Sequence, residues 1–190
     1  MIICFKWFQL FTIFMVCFLF SCAPSINQFY PDFYYTEDNI YQNKPLGFLL
    51  TFIGNWNLIT DPHDMDRANR NHARKFKKSG VELLFIGENV EGFIGTRGVA
   101  VNLNVPAREY AEYVRMINRE DVRSDSGLVD VYVNKHPAVR WVYEKEGFKF
   151  AEYFFCSTTY DIRIAFWTEN SLFENFVSVF EQIMGTLTLT

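Results

Sequence analysis

"YDIRIAFWTENSLFENFVSVFEQIMG", residues 160–185, carries two different periods in succession. Tyr160, Ile162, Ile164 and Phe166 fall on one side of the first stretch, with Asp161 and Arg163 on the other. A period of two marks a strand, and apolar–polar alternation marks an antiparallel sheet with one packed and one wetter face. Ser171-Leu172-Phe173-Glu174 then reads as a capping box. Beyond it Leu172, Phe173, Phe176, Val177, Phe180, Ile183 and Met184 recur at helical spacing until Gly185. A strand that feeds an amphipathic helix needs a sheet for the helix to cover.

Upstream residues supply that sheet. "LVDVYV" (128–133), "AVRWVYE" (138–144) and "FKFAEYFFC" (148–156) are three further strands in meander order, with Glu146-Gly147 as one turn and His136-Pro137 as another. "VELLFIG" (81–87) and "GFIGTRGVAVNLNV" (92–105) form a hairpin around Glu88-Asn89. Pro106 opens a helix over 107–118 that faces Tyr110, Ala111, Val114 and Ile117 inward. "LGFLLTFI" (46–53) is a strand with Phe48, Leu50 and Phe52 on one face, and Trp56–Ile59 is a second short strand. Residues 63–79 read as a polar helix capped by Asp64 and ended by Gly80.

Composition agrees with a folded domain. Of 190 residues, 49% are hydrophobic and 21% charged, enough apolar content for a core. Net charge is −4 with no basic stripe, which argues against a nucleic-acid partner.

The first 22 residues differ from the rest. Lys6 is their only charge, and Trp7–Phe20 is apolar apart from Gln9 and Thr12. A bilayer span needs about 20 apolar residues, so this run fits a signal-peptide core better. Leu19-Phe20-Ser21-Cys22 resembles the lipobox of bacterial lipoproteins. That resemblance implies removal of residues 1–21, acylation of Cys22 and a membrane anchor in the cell envelope. Ala23 in place of an Asp then implies the periplasmic face of the outer membrane in a Gram-negative cell. The alternative is a plain N-terminal anchor with Cys22 incidental. Cys4 and Cys17 leave with the leader, so Cys156 is the one other cysteine and has no intramolecular disulfide partner. The mature charge becomes 17 − 22 = −5. Residues 22–44 read as the lipidated N-terminus and a tether, and 45–190 as the domain.

"GFLLTFIGNW" (47–56) and the opening stretch, extended to residue 189, resemble the PsbP-like group related to the extrinsic photosystem II protein. The resemblance implies an α+β fold, an α/β/α sandwich on a mostly antiparallel sheet flanked by helices. It implies a binding or assembly role, and neither enzyme activity nor a cofactor.

Four candidate sites follow from residue types. Asp61, His63, Asp64, Asp66 and His72 offer carboxylate and imidazole ligands for a divalent metal. On one helix His63 and His72 stand roughly 13 Å apart by rise, too far for one ion, and a solvated polar loop is the plainer reading. "RNHARKFKK" (70–78) offers cations to anionic headgroups, against the plainer reading of a charged helix face. Trp56, Trp141 and Tyr143 are candidates to line a ligand groove between sheet and helix. Cys156 reads as a buried, inert thiol, with His136 as the imidazole a thiol enzyme or hydrolase would need. The expected function is a membrane-anchored, non-enzymatic protein that binds an envelope partner or small ligand. An envelope enzyme and a metal-handling protein are the alternatives.

Overall fold

The computed structural model describes residues 32–190. The leader, Cys22 and the first part of the tether lie outside them. The described chain is a mixed α+β fold with two antiparallel sheets and three helices.

The large sheet holds seven strands. They are β4 (Trp56–Ile59), β5 (Val81–Asn89), β6 (Gly95–Val101), β7 (Ser124–Val133), β8 (His136–Lys145), β9 (Phe148–Ser157) and β10 (Tyr160–Glu169). Their order is β4-β5-β6-β10-β9-β8-β7. Strands β7 to β10 are the expected meander, and β10 closes it onto β6 with Asp161 opposite Val101 and Trp167 opposite Gly95. The β8–β9 turn is Glu146-Gly147, both at positive φ (53° and 86°), as a tight two-residue hairpin demands. The β7–β8 turn is Asn134-Lys135 (φ 43° and 70°), not His136-Pro137. Pro137 stands inside β8 opposite Tyr132. The β8–β9 ladder begins only at Val139, so the missing N–H breaks no pairing on that side.

A small sheet of four strands lies beside it. It contains β1 (Asp32–Tyr35), β2 (Ile40–Asn43), β3 (Phe48–Thr51) and β11 (Thr188–Leu189), in that spatial order. The tether expected over 22–44 therefore does not run to residue 44. Tyr41 and Asn43 are fully buried, Tyr41 packs between Phe48 and Phe85, and Asn43 Oδ1 accepts the Leu46 N–H at 3.0 Å. The Thr190 N–H donates to the Gly47 carbonyl and extends the β3–β11 pairing, while the Ser157 hydroxyl of β9 donates to the Leu46 carbonyl and ties the large sheet to the small one.

The helices are α1 (Arg67–Lys78), α2 (Ala107–Asn118) and α3 (Phe173–Gly185). Alternation along β10 sends Ile162, Ile164 and Phe166 into a core with Phe173, Phe180, Ile183 and Met184 of α3 and with Tyr41, Phe48, Leu50 and Phe52 of the small sheet. Phe166 and Phe180 stack at 5.1 Å. The opposite face is not the wetter face the sequence suggests. There α2 covers Trp141, Tyr143 and Phe154 with Tyr110, Ala111 and Val114, and α1 covers Leu83 and Val99 with Ala73 and Phe76. Asp161 is consequently 1% exposed. On α2, Ile117 points outward (60% exposed), because the covered sheet surface ends before the helix's last turn.

Two caps differ from expectation. Asp66, not Asp64, caps α1, accepting the Asn69 N–H at 2.7 Å. Ser171 makes no cap bond to α3: residues 170–172 form a 3₁₀ turn, and Glu174 instead pairs with Lys149 at 3.2 Å.

Candidate functional site

The sheet's α2 side ends in a groove of about 590 Å³. Its walls come from five places: Ala107 and Arg108 at the start of α2, Asp130 to Tyr132 on β7, His136 to Val139 on β8, Cys156 on β9 and Leu189 on β11. The tight Asn134-Lys135 turn brings β7 and β8 together here, and Pro106 starts α2 beside them. Val131, Ala138 and Val139 make the lining apolar, while Arg108 and Asp130 close one rim as an ion pair at 2.7 Å. An apolar concavity of this size with few polar groups is the ordinary form of a small-ligand site.

Cys156 is exposed in this groove rather than buried. Its thiol donates to the Val105 carbonyl and to Asp161 Oδ1, both at 3.4 Å. Partial desolvation, and then the Asp161 carboxylate, push the thiol up to about 11. Asp161 is anchored by the Leu103 and Asn104 N–H groups at 3.2 and 3.0 Å. A thiolate nucleophile needs a cation or base beside it; here its nearest charged neighbour is an anion.

The five metal candidates are not drawn together. His63 Nδ1 meets Asp61 at 2.8 Å, Asp66 is spent on capping α1, and Asp64 and His72 are exposed. Among the described residues no three His, Cys, Asp or Glu side chains are grouped to hold a metal. The three aromatic candidates do not share a groove either. Trp56 belongs to the α3-side core, donating Nε1 to the Ile53 carbonyl at 3.0 Å, and edges a shallow cavity of about 320 Å³ with Phe176. Trp141 and Tyr143 stack at 3.9 Å on the other face of the sheet, under α2. The basic residues Arg74, Lys75, Lys77 and Lys78 are exposed on α1.

Sequence reasoning passed over one group of residues. Glu152 (1% exposed), Arg163 and Arg97 lie on the helix-covered face of the sheet. Tyr143 donates its hydroxyl to Glu152 Oε1 at 3.1 Å, and Arg163 Nη1 lies 3.7 Å from Glu152 Oε2. The available clue was Glu152 itself, a carboxylate inside the otherwise apolar "FKFAEYFFC".

The antiparallel meander, the flanking helices and the small sheet define a PsbP-like fold. The chain superposes on the cyanobacterial PsbP of Synechocystis with a TM-score of 0.56 and 8% identity, covering 80% of this chain and 91% of that one. A Pseudomonas aeruginosa protein of unknown function matches at a TM-score of 0.42 and 15% identity, over 50% of this chain and 74% of that one. A Bacteroides thetaiotaomicron protein matches at 0.43 and 13%, over 76% and 45%. No family model matches the chain, and neither does any curated protein. Among the described residues no helix is long and apolar enough to cross a membrane.

Proposed function

We propose that this chain is a lipid-anchored protein of the bacterial cell envelope whose domain, an α/β/α sandwich, binds an envelope partner or small ligand without transforming it. The observation that carries the binding reading is the groove beside α2. It has the volume and apolar lining of a ligand site, and its one thiol is held protonated by desolvation and then by Asp161. The anchor rests on Leu19-Phe20-Ser21-Cys22, with Cys22 acylated. In a Gram-negative cell the periplasmic face of the outer membrane follows from Ala23. The exposed cations of α1 suit an anionic membrane surface nearby.

One observation favours a thiol-enzyme reading: His136 and Cys156 line the same groove. The two readings separate by experiment. A photo-crosslinking residue at Tyr132, which is 80% exposed on the groove wall, is placed in the full-length chain in intact envelopes. The binding reading expects one discrete adduct that survives Cys156→Ala with His136→Ala and is lost on Arg108→Glu. An adduct that depends on Cys156 contradicts it. Metabolic labelling with a palmitate analogue tests the anchor, and an unlabelled full-length chain sinks it.

A further inference from the structure

A row of side chains crosses the helix-covered face of the large sheet, set by register alone. Ile86 stands opposite Arg97, Arg97 opposite Ala165, Ala165 opposite Glu152, and Glu152 opposite Trp141. Arg163 is two residues from Ala165 on β10, so it shares their face. Strand spacing puts the Arg97 and Glu152 backbones roughly 10 Å apart, with Ala165, the smallest side chain of the row, between them. Two guanidinium groups and one carboxylate thus ring a methyl floor between α1 and α2.

The ring is incompletely paired. Among the described residues Arg97 makes no hydrogen bond or ion pair; its guanidinium carbon lies 5.4 Å from the centre of the Phe76 ring, and it feels the charges of Arg163 and Glu152. A cation–π contact of this kind engages the positive charge but takes up none of the guanidinium's N–H donors. Arg163 has Glu152 at 3.7 Å and no hydrogen bond. The Nε atoms of both arginines and Oε2 of Glu152 are buried and unbonded. Asp161, on the same face, is committed to the Leu103 and Asn104 N–H groups and to Cys156. Tyr110 and Tyr143 stay neutral, since burial raises both hydroxyls; Arg163 opposes the shift at both and the Glu152 charge adds to it. The ring therefore carries two positive charges and one negative one, a surplus of one cation. Burial, and then the neighbouring Arg163, push Arg97 below the usual guanidinium range. A half-buried charge that its neighbours only partly compensate is costly for a fold to retain.

We propose that Arg97 and Arg163 bind the carboxylate group of a small organic acid between α1 and α2. One monoanion brings the ring to neutrality, and a carboxylate fits the fork of a guanidinium edge. A phosphate dianion would overshoot the balance.

Saturation-transfer NMR on the full-length chain in detergent micelles tests this with formate, acetate and benzoate at constant ionic strength set by chloride. The expected result is saturable transfer to the carboxylates, weakened at least tenfold in Arg97→Met and in Arg163→Met. Arg97→Lys keeps the charge without the fork and is expected to lose most of the binding while melting like the wild type. Transfer unchanged in Arg97→Met and Arg97→Lys, or no saturable transfer at all, overturns the proposal. So does binding of inorganic phosphate in place of the carboxylates.

Discussion

Cys156 offers the sharpest measurement of whether the groove beside α2 does chemistry. Its thiol moves from an ordinary 9.0 to about 11, through desolvation and then the hydrogen bond and charge of Asp161. At pH 8 a thiol at 9 is about 10% ionised and one at 11 about 0.1%, so the reactive form falls roughly 100-fold. Alkylation by iodoacetamide, followed at the Cys156 peptide by mass spectrometry from pH 7 to 11.5, reads this directly because only the thiolate reacts. The expected rate rises tenfold per pH unit through pH 10 without levelling. Asp161→Asn removes the anion and is expected to bring the midpoint back toward an ordinary thiol, with faster alkylation at pH 8. A midpoint at or below 9 in the wild type would refute the arrangement of Cys156, Asp161 and Val105 described above and would revive the thiol-enzyme reading. An unchanged midpoint in Asp161→Asn would assign the whole effect to desolvation.

The packing makes two further predictions. Phe180→Ala empties a fully buried site stacked on Phe166, and should cost about 3–5 kcal/mol, read as a fall in the urea midpoint without a change in slope. A loss under 1 kcal/mol would mean that α3 is not docked on the sheet. Tyr41→Ala should cost a similar 3–5 kcal/mol, since Tyr41 is fully buried against Phe48 and Phe85; a neutral result would return residues 32–44 to the tether.

The elements with one strong period were legible in the sequence. Helix α2 spans the expected 107–118, and the four-strand meander lies where alternation put it. What failed was set by partners distant in sequence. The wetter face assigned to Asp161 and Arg163 is roofed by α1 and α2, and no local pattern says how many helices a sheet will carry. The first strands, β1 and β2, are paired into place by β3, while their own mixture of tyrosine, asparagine and glutamine has no period. Ser171 and Glu174 have the spacing of a capping box, yet a 3₁₀ turn and Lys149 claim those residues. The candidate sites fared similarly. Residue type picked out Asp61, His63, Asp64, Asp66 and His72, but cannot report that one is a helix cap and another an exposed helix residue. The groove and the arginine ring arise from strand register, which composition does not carry.

The order in which the strands pair bears on when the chain can fold during its synthesis. β6 waits for β10, more than 50 residues later, and β3 waits for β11, near residue 190. A ribosome that has released only the first 150 residues has made no strand able to join the two halves of the large sheet. Such non-local pairing is slow to form and leaves the emerging chain open until late. Closure of both sheets by β10 and β11 is therefore the last event of folding, and the first strands wait unpaired on one side until the end of the chain is made.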